Sequence, residues 1–171
     1  GGRSEPRPAE PPAAADDGIG GITLGWAGVR LTVPSHWQVA GIGRDYLLLG
    51  EGTQPRLELK TAPVRGAFHL QRHLRRLERG TRGAGVDFRS VPIPLRWAPL
   101  VEGLQAAAFD WESVRGAGTG LLLFCPCCRR ATLVQFHGSR PEAAAGVERV
   151  LANLAFHPVA GWNLVALYDI R

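Results

Sequence analysis

Two segments of this chain have helical periodicity, and each offers a single apolar stripe. Such a helix is stable only when another layer covers that stripe. In the first segment Ala67, Leu70, Leu74 and Leu77 recur at helical spacing, while Arg72, Arg75, Arg76 and Arg79 fall on the opposite face. The spacing predicts a helix over Ala67–Arg79, stopped by Gly80. In the second, Ser139 precedes Glu142 by three residues and Pro141 sits in the first turn, which is a capping box. Val147, Val150, Leu151 and Leu154 supply its stripe, and Pro158 stops the element.

The covering layer is predicted from the rest of the chain, which alternates short apolar runs with Gly and Pro turns. Ile22–Trp26 and Val29–Val33 read as a hairpin turning at Ala27-Gly28. Trp37–Ala40 and Tyr46–Leu49 come next. Leu57 and Leu59 then alternate with Glu58 and Lys60, the pattern of a half-buried strand. A short strand lies around Phe88–Val91, and Pro92, Pro94 and Pro99 make the next segment a poor central strand. Gln105–Trp111, Gly120–Phe124 and Thr132–His137 read as three antiparallel strands, and Trp162–Ile170 as one more. The unbroken apolar run Leu121–Phe124 suits a strand covered on both faces. The expectation is an α+β domain: one antiparallel sheet of about six to eight strands packed with two helices.

Residues 1–18 are rich in Pro and Ala with no apolar period, and read as a disordered tail; residues 19–171 read as a single domain. The 171 residues contain no Met, so the chain is expected to be a piece of a longer protein that continues beyond Arg171. No apolar run is long enough to span a bilayer, which argues against a membrane span, and no secretory pattern opens the chain.

Net charge is +5, and Lys60 is the only Lys, which reflects a GC-rich coding bias rather than a choice of guanidinium chemistry. The segment Arg65–Arg82 holds six Arg with His69 and His73 against a single acid, Glu78. Arg72, Arg75, Arg76 and Arg79 are therefore the candidate binding residues, for phosphates or for an acidic protein surface. A solvated helix face explains the same pattern and is preferred. No aromatic residue is interleaved to stack bases, so nucleic acid is disfavoured as a partner. His69 and His73 are spaced to share a metal but lack the Glu that H-E-x-x-H requires, and read as boundary residues of the helix.

Cys125, Cys127 and Cys128 lie within four residues, between two predicted strands. An odd, clustered set does not make a disulfide framework and points to a reducing, cytoplasmic setting. Cys125 and Cys128 form a C-x-x-C pair that can aim two thiolates at zinc, with Cys127 and His137 as the nearby candidates for the remaining positions. A zinc-binding hairpin is thus the alternative function. No nucleophile elbow, phosphate loop or dinucleotide motif is present, which argues against an enzyme. Trp37 and Trp111 are candidates to line a ligand cleft. Asp110 and Glu112, which flank Trp111, read as solubilising.

The element order opens with Gly28-Val29-Arg30-Leu31-Thr32-Val33-Pro34 and then Trp37. A helix comes after it, then three antiparallel strands, then a capped helix closing at Asn153-Leu154-Ala155-Phe156. This order resembles the Mog1/PsbP-like α/β/α sandwich family over Ile22–His157. The resemblance implies a non-catalytic accessory or protein-binding module with no shared catalytic residues, so no site is carried over. The cysteine turn departs from the family pattern.

Overall fold

The computed structural model describes residues 21–138 and 140–156. The tail 1–18, the cap residue Ser139 and the strand expected at Trp162–Ile170 lie outside the described residues.

Gly21–Trp26 (β1) and Val29–Pro34 (β2) pair antiparallel through a two-residue turn. Both turn residues are left-handed, Ala27 at φ 49° and Gly28 at φ 80°. That geometry matches the twist of the flanking strands, and Gly28 meets it without strain. Seven further strands form one antiparallel sheet. They are Gln38–Ile42 (β3), Tyr46–Glu51 (β4), Gln54–Pro63 (β5), Asp87–Val91 (β6), Gln105–Ser113 (β7), Gly116–Cys125 (β8) and Arg130–His137 (β9). Their order is β3-β4-β5-β9-β8-β7-β6.

The opening hairpin does not join this sheet. It lies over one face as a separate ribbon, together with the helix Arg140–Ala152 (α2). Leu24, Trp26, Val29, Leu31 and Val33 pack there with Leu47, Leu59, Leu121, Val134 and Phe136 from the sheet, and with Val147, Val150 and Leu151 from α2. Backbone bonds between Arg30 and Ala155, at 2.7 and 2.8 Å, tie the ribbon to the chain just after α2. A 3-10 segment, Leu95–Val101, is pinned to the same helix. Trp97 Nε1 donates to Glu148 at 3.1 Å, and Arg96 donates to the same carboxylate.

The helix Leu70–Gly83 (α1) covers part of the other face, over β6, β7 and β8. Leu74 packs there with Phe88, Ala107, Phe109, Trp111 and Leu122. The run Leu121–Phe124 is thus covered from both sides, as its unbroken apolarity requires.

The helix is shifted from its predicted limits. Phe68 leaves the helical path to stack on Phe124, with ring centroids 4.4 Å apart, so α1 begins at Leu70. It runs through Gly80, and the left-handed residue beyond its end is Gly85 at φ 79°.

Two glycines of β8 make room for the second core. A Cβ on Gly118 would lie 1.8 Å from the Phe136 carbonyl oxygen and 2.8 Å from Trp111 Nε1; one on Gly120 would lie 2.3 Å from the Phe109 ring. The aromatic rings lie across bare backbone. Gly118→Ala is expected to lower stability by about 1–3 kcal/mol through overpacking, read as a shift in urea midpoint. An unchanged midpoint would mean that the rings do not lie over β8.

Candidate functional site

Arg72, Arg75, Arg76 and Arg79 recur three and four residues apart, which puts them on one face of α1. All four are exposed, and none forms an ion pair among the described residues. Glu78 on the same helix pairs instead with Arg82, at 3.5 Å.

Arg72 and Arg76 also edge a groove of about 310 Å³ that sequence reasoning did not anticipate, between α1 and the connection leading out of β5. Arg65, His69 and His73 join them there. His73 is held below the ordinary imidazole range, first by burial and then by the charge of Arg76. His69 and His73 thus sit on the flank of α1, as boundary residues would.

Cys125 ends β8, and Cys127 and Cys128 lie in the turn that leads to β9. Cys125 is buried in the core, Cys128 is half-buried, Cys127 is exposed, and none is bridged. The Cys128 amide donates to Cys125 Sγ at 3.4 Å, and the Cys128 thiol is pushed up to about 11, first by burial and then by Cys125.

The zinc ligand set is not brought together. His137 lies at the far end of β9, opposite Gly118, whereas Cys125 pairs with Arg130 at the near end. Seven residues of strand separate the two ends, roughly 23 Å. Among the described residues no group of three or more His, Cys, Asp or Glu is placed to hold a metal. The separation of His137 from the cysteine turn has a plain cause: closeness in sequence is not closeness in space along an extended strand.

His137 has a different role. Its Nε2 lies 2.8 Å from Glu58 Oε1, and Tyr46 donates to Glu58 Oε2 at 3.0 Å. The three come from β9, β5 and β4, on the half of the sheet face that α1 leaves uncovered. The His137 ring also meets the edge of Trp111, with centroids 4.8 Å apart. Glu58 is held below the ordinary carboxylate range, chiefly by its bond with His137. The Tyr46 phenol is pushed up to about 12, by burial first and then by Glu58.

The neutral phenol is the form the fold favours, so Tyr46 contributes stability that is complete below pH 10 and fades between pH 10 and about 12. Tyr46→Phe is therefore expected to flatten the loss of stability across that window, measured by denaturation at a series of alkaline pH values. An unaltered pH profile would contradict the Tyr46–Glu58 bond.

Trp37 and Trp111 do not share a cleft. Trp37 precedes β3 at one edge of the sheet and packs against the ribbon-side core. Trp111, on β7 near the other edge, packs on the opposite face and donates to the Phe136 carbonyl at 3.2 Å. Asp110 and Glu112 line a separate cleft of about 230 Å³ with Asp87 and Arg89.

No protein-family model matches the chain, and no curated protein matches it. Solved structures similar to it include the following two. One, from Bacteroides thetaiotaomicron, is 12% identical with a TM-score of 0.51, and the match covers 84% of this chain. It covers 50% of that protein, so this chain spans half its length. The other is the solution structure of cyanobacterial PsbP (CyanoP) from Synechocystis, 7% identical with a TM-score of 0.53, covering 81% of this chain and 94% of that one. At such identities the likeness is one of fold and carries no site across. No helix among the described residues is long and apolar enough to cross a membrane. The chain has an α+β fold whose structural neighbours include PsbP.

Proposed function

We propose that this protein is a non-catalytic accessory module that binds a protein partner through the outer face of α1, with the partner contributing an acidic segment. The observation that carries this reading is the set of four exposed arginines, Arg72, Arg75, Arg76 and Arg79, with no acidic partner among the described residues. A purely solubilising face gains from mixed charges, whereas this one is of a single sign apart from Glu78. The fold likeness to PsbP supports the reading, because the family that the sequence resembles consists mostly of accessory and binding proteins. The Tyr46–Glu58–His137 chain fits a structural role, each member bonded across neighbouring strands. The unbridged cysteines support a reducing, cytoplasmic setting. Among the described residues Cys125 and Cys128 have no third ligand group placed to complete a zinc site.

The test is binding to polyglutamate at low and at moderate ionic strength. The wild type is expected to bind in a salt-dependent way. Replacing all four arginines with Gln is expected to weaken binding by about tenfold or more, since each exposed pair contributes up to about 1 kcal/mol. Equal binding by the variant overturns the reading, as does tighter binding of the wild type to duplex DNA than to polyglutamate.

A further inference from the structure

The groove beside α1 differs from the helix's outer face in being walled and held open. Arg65, Phe68, His69, Arg72, His73 and Arg76 line it, and no acidic side chain does. Arg65, Arg72 and Arg76 have no counter-ion among the described residues. Gathering three guanidinium groups around one concavity raises their mutual repulsion, and an anion seated there relieves it.

The connection that forms the floor is clamped from the cysteine turn. Val64 donates its amide to the Arg129 carbonyl at 2.9 Å. In return Arg129 Nε donates to the Val64 carbonyl at 3.3 Å, and its guanidinium reaches the Gly66 carbonyl. Arg129 holds a left-handed backbone at φ 55°, a conformation unfavourable for a side chain of its size. Its guanidinium lies over the Phe124 ring, on which Phe68 also stacks. Strain at Arg129 is thus offset by contacts that fix the groove before any ligand arrives, which reduces the ordering cost of binding.

We propose that this groove is a binding site for a phosphate monoester group. A guanidinium offers paired donors that match the oxygens of a phosphate, and three of them suit a dianion better than a single carboxylate. At about 310 Å³ the groove is at the small end of ligand clefts, large enough for a phosphoryl group and a short attached portion. His73, whose charged form is disfavoured by burial and by Arg76, offers a ring N–H as a further hydrogen-bond donor. A nucleic acid strand is disfavoured because the one Phe, Tyr or Trp ring at the site, Phe68, is already stacked on Phe124. The groove shares Arg72 and Arg76 with the docking face, whereas Arg65, His69 and His73 line the groove and Arg75 and Arg79 do not.

The experiment is isothermal titration of the whole chain with inorganic phosphate, phosphoserine and a phosphoserine-containing peptide, in chloride buffer of about 0.15 M ionic strength. The expected result is saturable one-to-one binding by the wild type. The R65Q/R72Q variant should bind about tenfold or more weakly, and R115Q, in the exposed turn between β7 and β8, within about twofold of wild type. If R65Q/R72Q loses its far-UV circular dichroism, R76Q makes the same test. A peptide bound more tightly than free phosphoserine assigns the phosphoryl group to a modified protein, and equal affinities assign it to a small ester; both uphold the site. Absence of saturable binding by the wild type, equal affinity for acetate, or undiminished binding by R65Q/R72Q and R76Q overturns it. So does a single-stranded oligonucleotide that binds more tightly than every phosphate ester.

Discussion

Phe136→Ala is expected to destabilise the domain by about 3–5 kcal/mol, the range for emptying a buried aromatic site. The ring is almost fully buried on β9, the strand that sits between β5 and β8 in the sheet. It packs in the same core as Val147, Val150 and Leu151 of α2, and a Cβ on Gly146 would lie 3.3 Å from it. Removal leaves a cavity between sheet and helix that the extended strand cannot collapse to fill. The backbone carbonyl that accepts from Trp111 remains, so the second core keeps that bond. Urea denaturation reads the effect as a lower midpoint at unchanged slope. A loss below about 1 kcal/mol would place α2 elsewhere.

Leu151→Ala is expected to lose about 2–5 kcal/mol for the same reason, seen from the helix side. Leu151 is buried with Val147 and Val150, and α2 packs on β2, β8 and β9. The loss tests the helix face read from periodicity alone, because a face turned the other way would leave residue 151 in solvent. An unshifted midpoint for Leu151→Ala would show such a turn.

Leu151 marks where the sequence spoke clearly. Val147, Val150 and Leu151 of the α2 stripe, the alternation of Leu57 and Leu59, and the apolar run Leu121–Phe124 each predicted burial that the structure bears out, whereas Leu154 lies past the end of the helix and is half-buried. The Ala27-Gly28 turn was legible because two consecutive left-handed residues are required there, and Gly28 supplies one of them without strain. The four arginines of α1 were legible as one face because helical spacing is a local rule.

The groove was not legible. Arg65 and His69 come from the connection before α1, and their common wall with Arg72 and Arg76 depends on how that connection turns back from β5. Its clamp, Arg129, is 63 residues from Gly66, and nothing local announces that a residue after a cysteine turn will adopt φ 55°. The Tyr46–Glu58–His137 chain was hidden in the same way, with one member on each of three strands.

Local rules written in the chain thus settle which residues face a core, where turns fall and which charges share a helix face, because these depend on periods of two or 3.6 residues and on backbone preferences. It took the assembled fold to set β1 and β2 outside the sheet, to insert β9 between β5 and β8, and to leave His137 and the cysteines at opposite ends of one strand. Strand alternation states which side of a residue is buried and leaves its neighbour unspecified. The neighbour is chosen by pairing between segments far apart in the chain, where the fit of two whole surfaces outweighs any local preference.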